Sequence, residues 1–158
     1  MTVWKPLAEW QCDFCGERIK EPDHGYLEWL AEEFDRVHDF RIVHHAPHSP
    51  RGPSDNCYHH AGKRGHADVD LPKVIGPNGI AYLLSFLDLG AYHSGESEGP
   101  RVDSIREWVE IYRRLHLPHY EQARLFWDNA IEDGHFSGAN EVAIYSQRSL
   151  LELIRRYA

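Results

Sequence analysis

The sequence predicts an α+β protein in which a β-rich N-terminal lobe, residues 1–72, packs on a helical part, residues 73–158. Residues 1–72 are rich in histidine, proline and glycine and show little helical periodicity. From residue 73 onward, apolar residues recur at the three- and four-residue spacing of amphipathic helices. The chain has 158 residues, of which 42 % are hydrophobic. That is enough for one domain with a core of useful size.

Two strands are predicted in the N-terminal lobe. Residues 25–30 alternate in the way a strand requires, and a helix over residues 26–36 is the competing prediction. Residues 40–45 carry β-branched residues at their centre, which favours a second strand. A hairpin that turns through residues 32–36 would return the histidines at its end to the N-terminal segment. Residues 46–56 contain three prolines and a glycine and are predicted to be a loop.

Four helices are predicted in the C-terminal part. The first follows from an i, i+3, i+4, i+7 apolar stripe that begins at Ile80. The second opens at Ser104 with a capping box, in which a glutamate follows the serine three residues later. Pro118 suits the first turn of a third helix, and Ser149 opens a fourth with another capping box. Between the last two helices, residues 142–145 are predicted to form a short strand of a small β-hairpin.

The most informative motif is a pair of cysteines, Cys12 and Cys15, separated by two residues and followed at once by Gly16. In a metal knuckle, two such thiolates point at one ion, and the glycine lets backbone amides face the sulfurs. Further candidate ligands follow in the same lobe, at His44, His45, Cys57, His59 and His60. Zinc takes four cysteine or histidine ligands in a tetrahedron, so the sequence predicts a zinc site.

The predicted ligands are three thiolates and one imidazole, from Cys12, Cys15, Cys57 and one of two adjacent histidines. Adjacent residues of a strand face opposite ways, so only one of His44 and His45 can point at the ion. His45 is favoured because it is nearer the turn into the loop, and His59 is a substitute if neither reaches. Four protein ligands leave no open position, which predicts a structural Zn²⁺.

Two family resemblances bear on function. The cysteine knuckle with a following hairpin resembles zinc-ribbon and treble-clef modules, which implies a structural or binding role and no particular partner. The pair His44-His45, followed by Asn56 and then by His60, resembles the ββα-metal motif of HNH nucleases. That resemblance implies that His45 is a general base and that Asn56 orients it. It also implies that His44 and His60 hold a divalent cation.

Charge and cysteine count narrow the function classes. The formal charge of −8 disfavours nucleic-acid binding, because like charges repel at long range. Three cysteines do not suit a disulfide scaffold and the N-terminal residues do not form a signal peptide, so we expect a reducing, cytoplasmic compartment. Residues 80–92, the longest apolar stretch, are too short to cross a bilayer.

The leading hypothesis from the sequence is a non-enzymatic zinc-binding adaptor or regulator that acts through contacts with another protein. The loops at residues 46–56 and 93–100 are the predicted contact surfaces, because loops commonly carry recognition while the scaffold holds them. The alternative hypothesis is an HNH-like, metal-dependent nuclease.

Overall fold

The computed structural model describes residues 2–32, 36–52, 57, 62–92 and 99–158. These residues confirm the predicted α+β class, with two small antiparallel sheets in the N-terminal part and helices in the C-terminal part.

The strands form two separate sheets. β1 (Trp10–Gln11) pairs with β2 (Arg18–Ile19) and closes the turn that carries the two-cysteine motif. In the larger sheet, β3 (Gly25–Ala31) lies between β4 (Val37–His44) and β5 (His66–Asp70), and both pairings are antiparallel. β4 therefore ends beside the start of β3, where Gly25 pairs with His44.

Both predicted strands and their antiparallel pairing are confirmed, and the competing helix is wrong over residues 26–31. Residues 33–35 of the connecting turn lie outside the described residues. β5 was not predicted from the sequence. Its apolar signal is confined to Ala67 and Val69, which alternate with His66, Asp68 and Asp70.

The helices have these bounds: α1 Gly76–Leu84, α2 Ile105–His116, α3 Tyr120–Ala123, α4 Trp127–Glu132 and α5 Gln147–Tyr157. The third predicted helix is therefore divided, because a 3₁₀ turn, Arg124–Phe126, separates α3 from α4. None of the helices in the described part of the chain is both long enough and apolar enough to span a bilayer.

The predicted short strand at residues 142–145 is wrong. Ala143–Tyr145 form a 3₁₀ turn instead, and the amide of Val142 donates to the side chain of Asn140 at 2.9 Å. The amides of Ala143 and Tyr145 each donate to the carbonyl three residues earlier in the chain. These local bonds satisfy the backbone without a neighbouring strand, so the C-terminal hairpin does not form.

The helix caps confirm one prediction and correct another. Ser104 caps α2, because its hydroxyl accepts a hydrogen bond from the amide of Glu107 at 3.2 Å. The Glu107 carboxylate accepts from the amide of Phe40 at 2.6 Å and so fastens α2 to β4. The cap of α5 is Ser146 and not Ser149, since the Ser146 hydroxyl accepts from the amide of Ser149.

Two hydrophobic clusters hold these elements together. The first fills the space between the larger sheet, α1 and α2, and within it Phe86 meets both Trp29 and Phe40 edge to face. It also includes Trp10 of the small sheet. The second lies among α3, α4 and α5 and contains Tyr120, Ala123, Ala130, Leu150, Leu153 and Ile154. The two-cysteine turn is thus anchored beside the first cluster.

Candidate metal centre

The turn between β1 and β2 places two cysteines on one side of the backbone. The amide of Cys12 donates to the carbonyl of Glu17 at 2.9 Å, and the amide of Gly16 donates to the carbonyl of Cys12 at 3.0 Å. Gly16 has φ of 77°, in the left-handed region where a side chain is strained. The glycine that follows the motif is therefore required by the geometry of this turn.

Asp13 holds the turn against β4. Its amide donates to the carbonyl of Ile42 at 2.8 Å, and its carboxylate accepts from the amide of Ile42 at 2.7 Å. Residues two apart on a strand face the same side, so His44 points the same way as Ile42. This pairing brings the end of β4 to the cysteines.

Four donor atoms meet at this place. A nitrogen of His44 and three sulfurs all lie within 4.8 Å of one another, and we call these residues the Cys3His group: Cys12, Cys15, His44 and Cys57. His44 Nδ1 is 3.5 Å from the sulfur of Cys15 and 3.8 Å from that of Cys57. With Zn–S near 2.3 Å and Zn–N near 2.0–2.1 Å, a tetrahedral site has an N···S separation of about 3.6 Å. The observed separations match it.

The protonation of the thiols is set by burial and by hydrogen bonds. Burial raises the pKa of Cys12, but the side chain of His44 and the backbone amides of Phe14, Cys15 and His44 lower it to about 6. Burial raises the pKa of Cys15 to about 12, and the charge of Cys12 adds to that rise. The pKa of Cys57 is raised as well, chiefly by burial. A cation among the sulfurs is what would allow all three to ionise together.

Ser49 supports the third sulfur. Its hydroxyl oxygen lies 3.2 Å from the sulfur of Cys57, a residue that is fully buried. The same oxygen accepts a hydrogen bond from the amide of Arg51, which leaves the hydroxyl hydrogen to be donated to the sulfur. Such a bond favours the thiolate form. This role of Ser49 was not predicted from the sequence, because serines are common in proline-rich loops.

Arg114 of α2 binds the two-cysteine turn between β1 and β2, which we call the knuckle, and ties it to the helices. Its guanidinium is buried and donates to Asp13 at 2.7 Å, to both carboxylate oxygens of Glu121 at 2.7 and 2.9 Å, and to the carbonyl of Gln11 at 3.2 Å. Burial opposes ionisation of Glu121, but Arg114 and then Arg124 hold its pKa below the usual value. The ionised network therefore ties the small sheet to α2 and α3.

The structure brings four of the five predicted ligands together, and His45 is the one it leaves aside. The ring of His45 packs edge-on against Tyr26 at 4.5 Å and lies 5.9 Å from the ring of His48. β4 ends at His44, so the strand that delivers Ile42 and His44 to the knuckle turns the next residue away.

The remaining candidates from the sequence are not described. Asn56, His59 and His60 lie outside the described residues, as does most of the predicted contact loop at residues 93–100. The nuclease ligand set therefore stays a prediction.

A second group of donors lies at the surface of the described part of the chain. Donor atoms of Glu32, His38 and Asp103 also lie within 4.8 Å of one another, but Glu32 and Asp103 are exposed. Asp103 pairs with Arg36 at 3.0 Å and Glu32 pairs with His38 at 3.2 Å. The Asp103–Arg36 contact is that of a surface ion pair.

No family model, curated protein or solved structure matches this chain. The class of the site is therefore assigned from its own atoms. It is a largely buried Cys3His cluster whose donors are placed as a metal ion would require.

Proposed function

We propose that this chain is a zinc-stabilised, non-enzymatic adaptor, in which the Cys3His group binds one structural Zn²⁺ and the fold serves contacts with another protein. The observation that carries the proposal is the complete set of donors, three thiols and one imidazole within 4.8 Å of one another. The backbone amides at Cys12 and the hydroxyl of Ser49 supply the outer hydrogen bonds that a thiolate site needs.

The donor chemistry favours zinc over other common ions. Calcium and magnesium prefer oxygen ligands, whereas thiolates with an imidazole suit zinc. Catalytic zinc sites keep one position for water, with three protein ligands. Four protein ligands close this site, so the ion would contribute stability and not chemistry.

The ion would join segments that are far apart in the sequence. It would link the knuckle, the end of β4 and the segment at Cys57, while Arg114 links the same knuckle to the helices. A scaffold tied from both sides can present loops in fixed positions, which supports a binding role. The net charge of −8 supports a protein partner over a nucleic acid.

The test is the metal content of the chain purified without added zinc, measured by elemental mass spectrometry. We expect about one zinc per chain in the wild type and its loss in Cys57→Ser. His44→Ala and His45→Ala form a matched pair, because the residues are adjacent and only His44 belongs to the group. We expect His44→Ala to lose zinc and His45→Ala to keep it.

Two results would overturn the proposal. One is zinc that persists in Cys57→Ser and His44→Ala but is lost in His45→Ala. The other is metal-dependent DNA cleavage by the wild type that His45→Ala abolishes without loss of folding, which would favour the nuclease alternative.

A further inference from the structure

The three thiols of the Cys3His group differ in their access to solvent. Cys12 and Cys57 are 1 % and 0 % exposed, whereas Cys15 is only half-buried. Solvent access is one of the two properties that determine which cysteine is oxidised, and thiolate character is the other. Cys15 is therefore the sulfur of this group that a dissolved oxidant reaches first.

Cys12 is the partner that the chain places beside Cys15. The amide of Gly16 donates to the carbonyl of Cys12 at 3.0 Å, and this bond between residues four apart closes one helical turn of backbone. Residues three apart in such a turn have Cα atoms about 5 Å apart, within the span of about 4.4–6.8 Å that a disulfide requires. The sulfurs of Cys12 and Cys15 already lie within 4.8 Å of each other. A disulfide between them therefore needs rotation of the side chains and no rearrangement of the turn.

Hydrogen bonds that involve no sulfur keep the knuckle in place. Asp13 bonds to both the amide and the carbonyl of Ile42, and Arg114 donates to Asp13 and to the carbonyl of Gln11. None of these contacts needs the ion. Loss of the ion would therefore lower the stability of the chain but would leave Cys12 and Cys15 next to each other.

Cys57 reaches the group from a different segment of the chain. Its sulfur lies 3.2 Å from the hydroxyl oxygen of Ser49. A disulfide between Cys12 and Cys15 would leave Cys57 and His44 as the remaining donors. Zinc takes four protein ligands in a structural site, so two donors would not retain it. Oxidation would thus release the ion and detach the segment at Cys57 from the knuckle.

We propose that the Cys3His group is a peroxide-sensitive switch, in which oxidation of Cys15 and Cys12 to a disulfide expels the zinc. The Cys15 thiolate attacks one oxygen of the peroxide, the O–O bond breaks and hydroxide leaves, so that Cys15 becomes a sulfenic acid. The Cys12 thiolate then attacks the Cys15 sulfur, and a second hydroxide leaves as the S–S bond forms. The two sulfurs lose two electrons and the peroxide gains them. Both hydroxides take up protons to become water, and Zn²⁺ leaves with its charge unchanged.

This inference rests on the proposed function, because it assigns a regulation to the same zinc site. Reduction of the disulfide by a dithiol restores both thiolates and with them the complete donor set. The segment that leads to Cys57 includes the contact loop predicted from the sequence, residues 46–56. The oxidation state of the knuckle would therefore decide whether the adaptor holds the end of that loop in its zinc-bound position.

The test uses the full chain, with its zinc content measured beforehand by elemental mass spectrometry. Hydrogen peroxide is added in excess, and released zinc is followed by the absorbance of a chelating dye. We expect the loss of about one zinc per chain, a Cys12–Cys15 disulfide in the peptide mass spectra and a Cys57 that still reacts with iodoacetamide. Dithiothreitol and added zinc should restore the original content, and the far-ultraviolet circular dichroism should show a folded chain throughout.

Two variants that each lack one ligand identify the reacting pair. We expect Cys57→Ser, which keeps both thiols of the knuckle, to form the Cys12–Cys15 disulfide under peroxide. Cys15→Ser keeps only the two buried thiols, and its thiols should be oxidised about tenfold or more slowly. Equal rates of oxidation in the two variants would overturn the proposal. So would a wild-type disulfide that includes Cys57, or zinc release without any disulfide.

The zinc content before peroxide is added separates this inference from the proposed function. A chain that holds zinc and retains it in excess peroxide would overturn this inference alone. A chain that holds no zinc before peroxide is added would overturn the metal proposal and the switch with it, whatever disulfide then forms.

Discussion

Arg114 is the buried cation through which the helices hold the knuckle, and its replacement by methionine tests that role. The side chain is 4 % exposed and makes bonds to two carboxylates, on Asp13 and Glu121, and to one carbonyl. Methionine keeps much of the apolar bulk but leaves Glu121, itself 6 % exposed, without its main counter-ion. Removing one partner of a buried ion pair costs about 3–5 kcal/mol of unfolding free energy, so we expect Arg114→Met to cost that much.

Urea denaturation followed by circular dichroism measures this loss, with the slope of the transition checked for constancy. The double variant Arg114→Met/Glu121→Leu is the comparison, because it removes both buried charges. We expect it to recover part of the loss, since an apolar replacement of a buried pair is often nearly neutral. A loss of less than about 1 kcal/mol in Arg114→Met would refute the reasoning, because it would mean that the network is not desolvated as described.

The same network has a defined pH dependence. Arg114 and Arg124 hold the pKa of Glu121 below its unfolded value, despite the opposing effect of burial. A depressed folded-state pKa means that this contribution is present above the unfolded pKa and is lost as pH falls through the folded one. We expect the wild type to lose stability on acidification over that window, and Arg114→Met to show a flatter profile there.

Three further perturbations have expected outcomes. Alanine is a better helix former than glycine, but Gly79→Ala should destabilise α1, because a Cβ at Gly79 would overlap the backbone of Val74. A rise in melting temperature would contradict this prediction. Glu107→Gln should cost about 1–2 kcal/mol in urea denaturation, because the charged acceptor of the Phe40 amide becomes neutral, and an unchanged midpoint would contradict it. Removal of zinc by a chelator should lower the melting temperature and re-addition of zinc should restore it, since the ion is proposed to bind only the folded state. An unaltered melting curve would contradict the proposed metal site.

The sequence predicted the parts of the fold whose side chains follow a strong local pattern. Residues of β3 alternate in facing, β4 carries β-branched residues, and both strands were found. β5 was not predicted, because three of its five residues are charged or histidine and only Ala67 and Val69 mark its buried face. Residues 142–145 were predicted to be a strand and are not, because β-branched residues do not form a strand without a neighbouring strand to pair with.

The candidate site, like the fold, was predicted only in part. The two-cysteine spacing marked the site, and the opposite facing of adjacent strand residues meant that only one of His44 and His45 could join it, with His59 as the substitute. The choice between them depended on where β4 ends, and a strand boundary shifted by one residue reverses it. The role of Arg114 was not predicted from the sequence. Its position between Ile111 and Leu115, on the buried face of α2, was the available signal.

The two-cysteine turn is held by the guanidinium of Arg114 and by the proposed metal ion. Asp13 takes part in both arrangements, which predicts that their contributions to stability are coupled. Asp13 accepts from Arg114 with the same carboxylate oxygen that accepts from the amide of Ile42, two residues before His44. Loss of the guanidinium should therefore loosen the contact that positions the imidazole, and loss of the ion should relax the strand end against which Asp13 is fixed. The two effects would then not be independent.

A double-mutant cycle with Arg114→Met and Cys57→Ser measures the coupling in urea, at fixed total zinc. Directly linked sites show interaction energies of about 0.5–3 kcal/mol, so we expect the double variant to lose less than the sum of the single losses. Gly79→Ala, which lies in α1 and contacts the backbone of Val74, serves as the unlinked control and should add to Cys57→Ser. Additivity of both pairs would mean that the helices and the ion stabilise the knuckle separately, with Asp13 transmitting nothing between them.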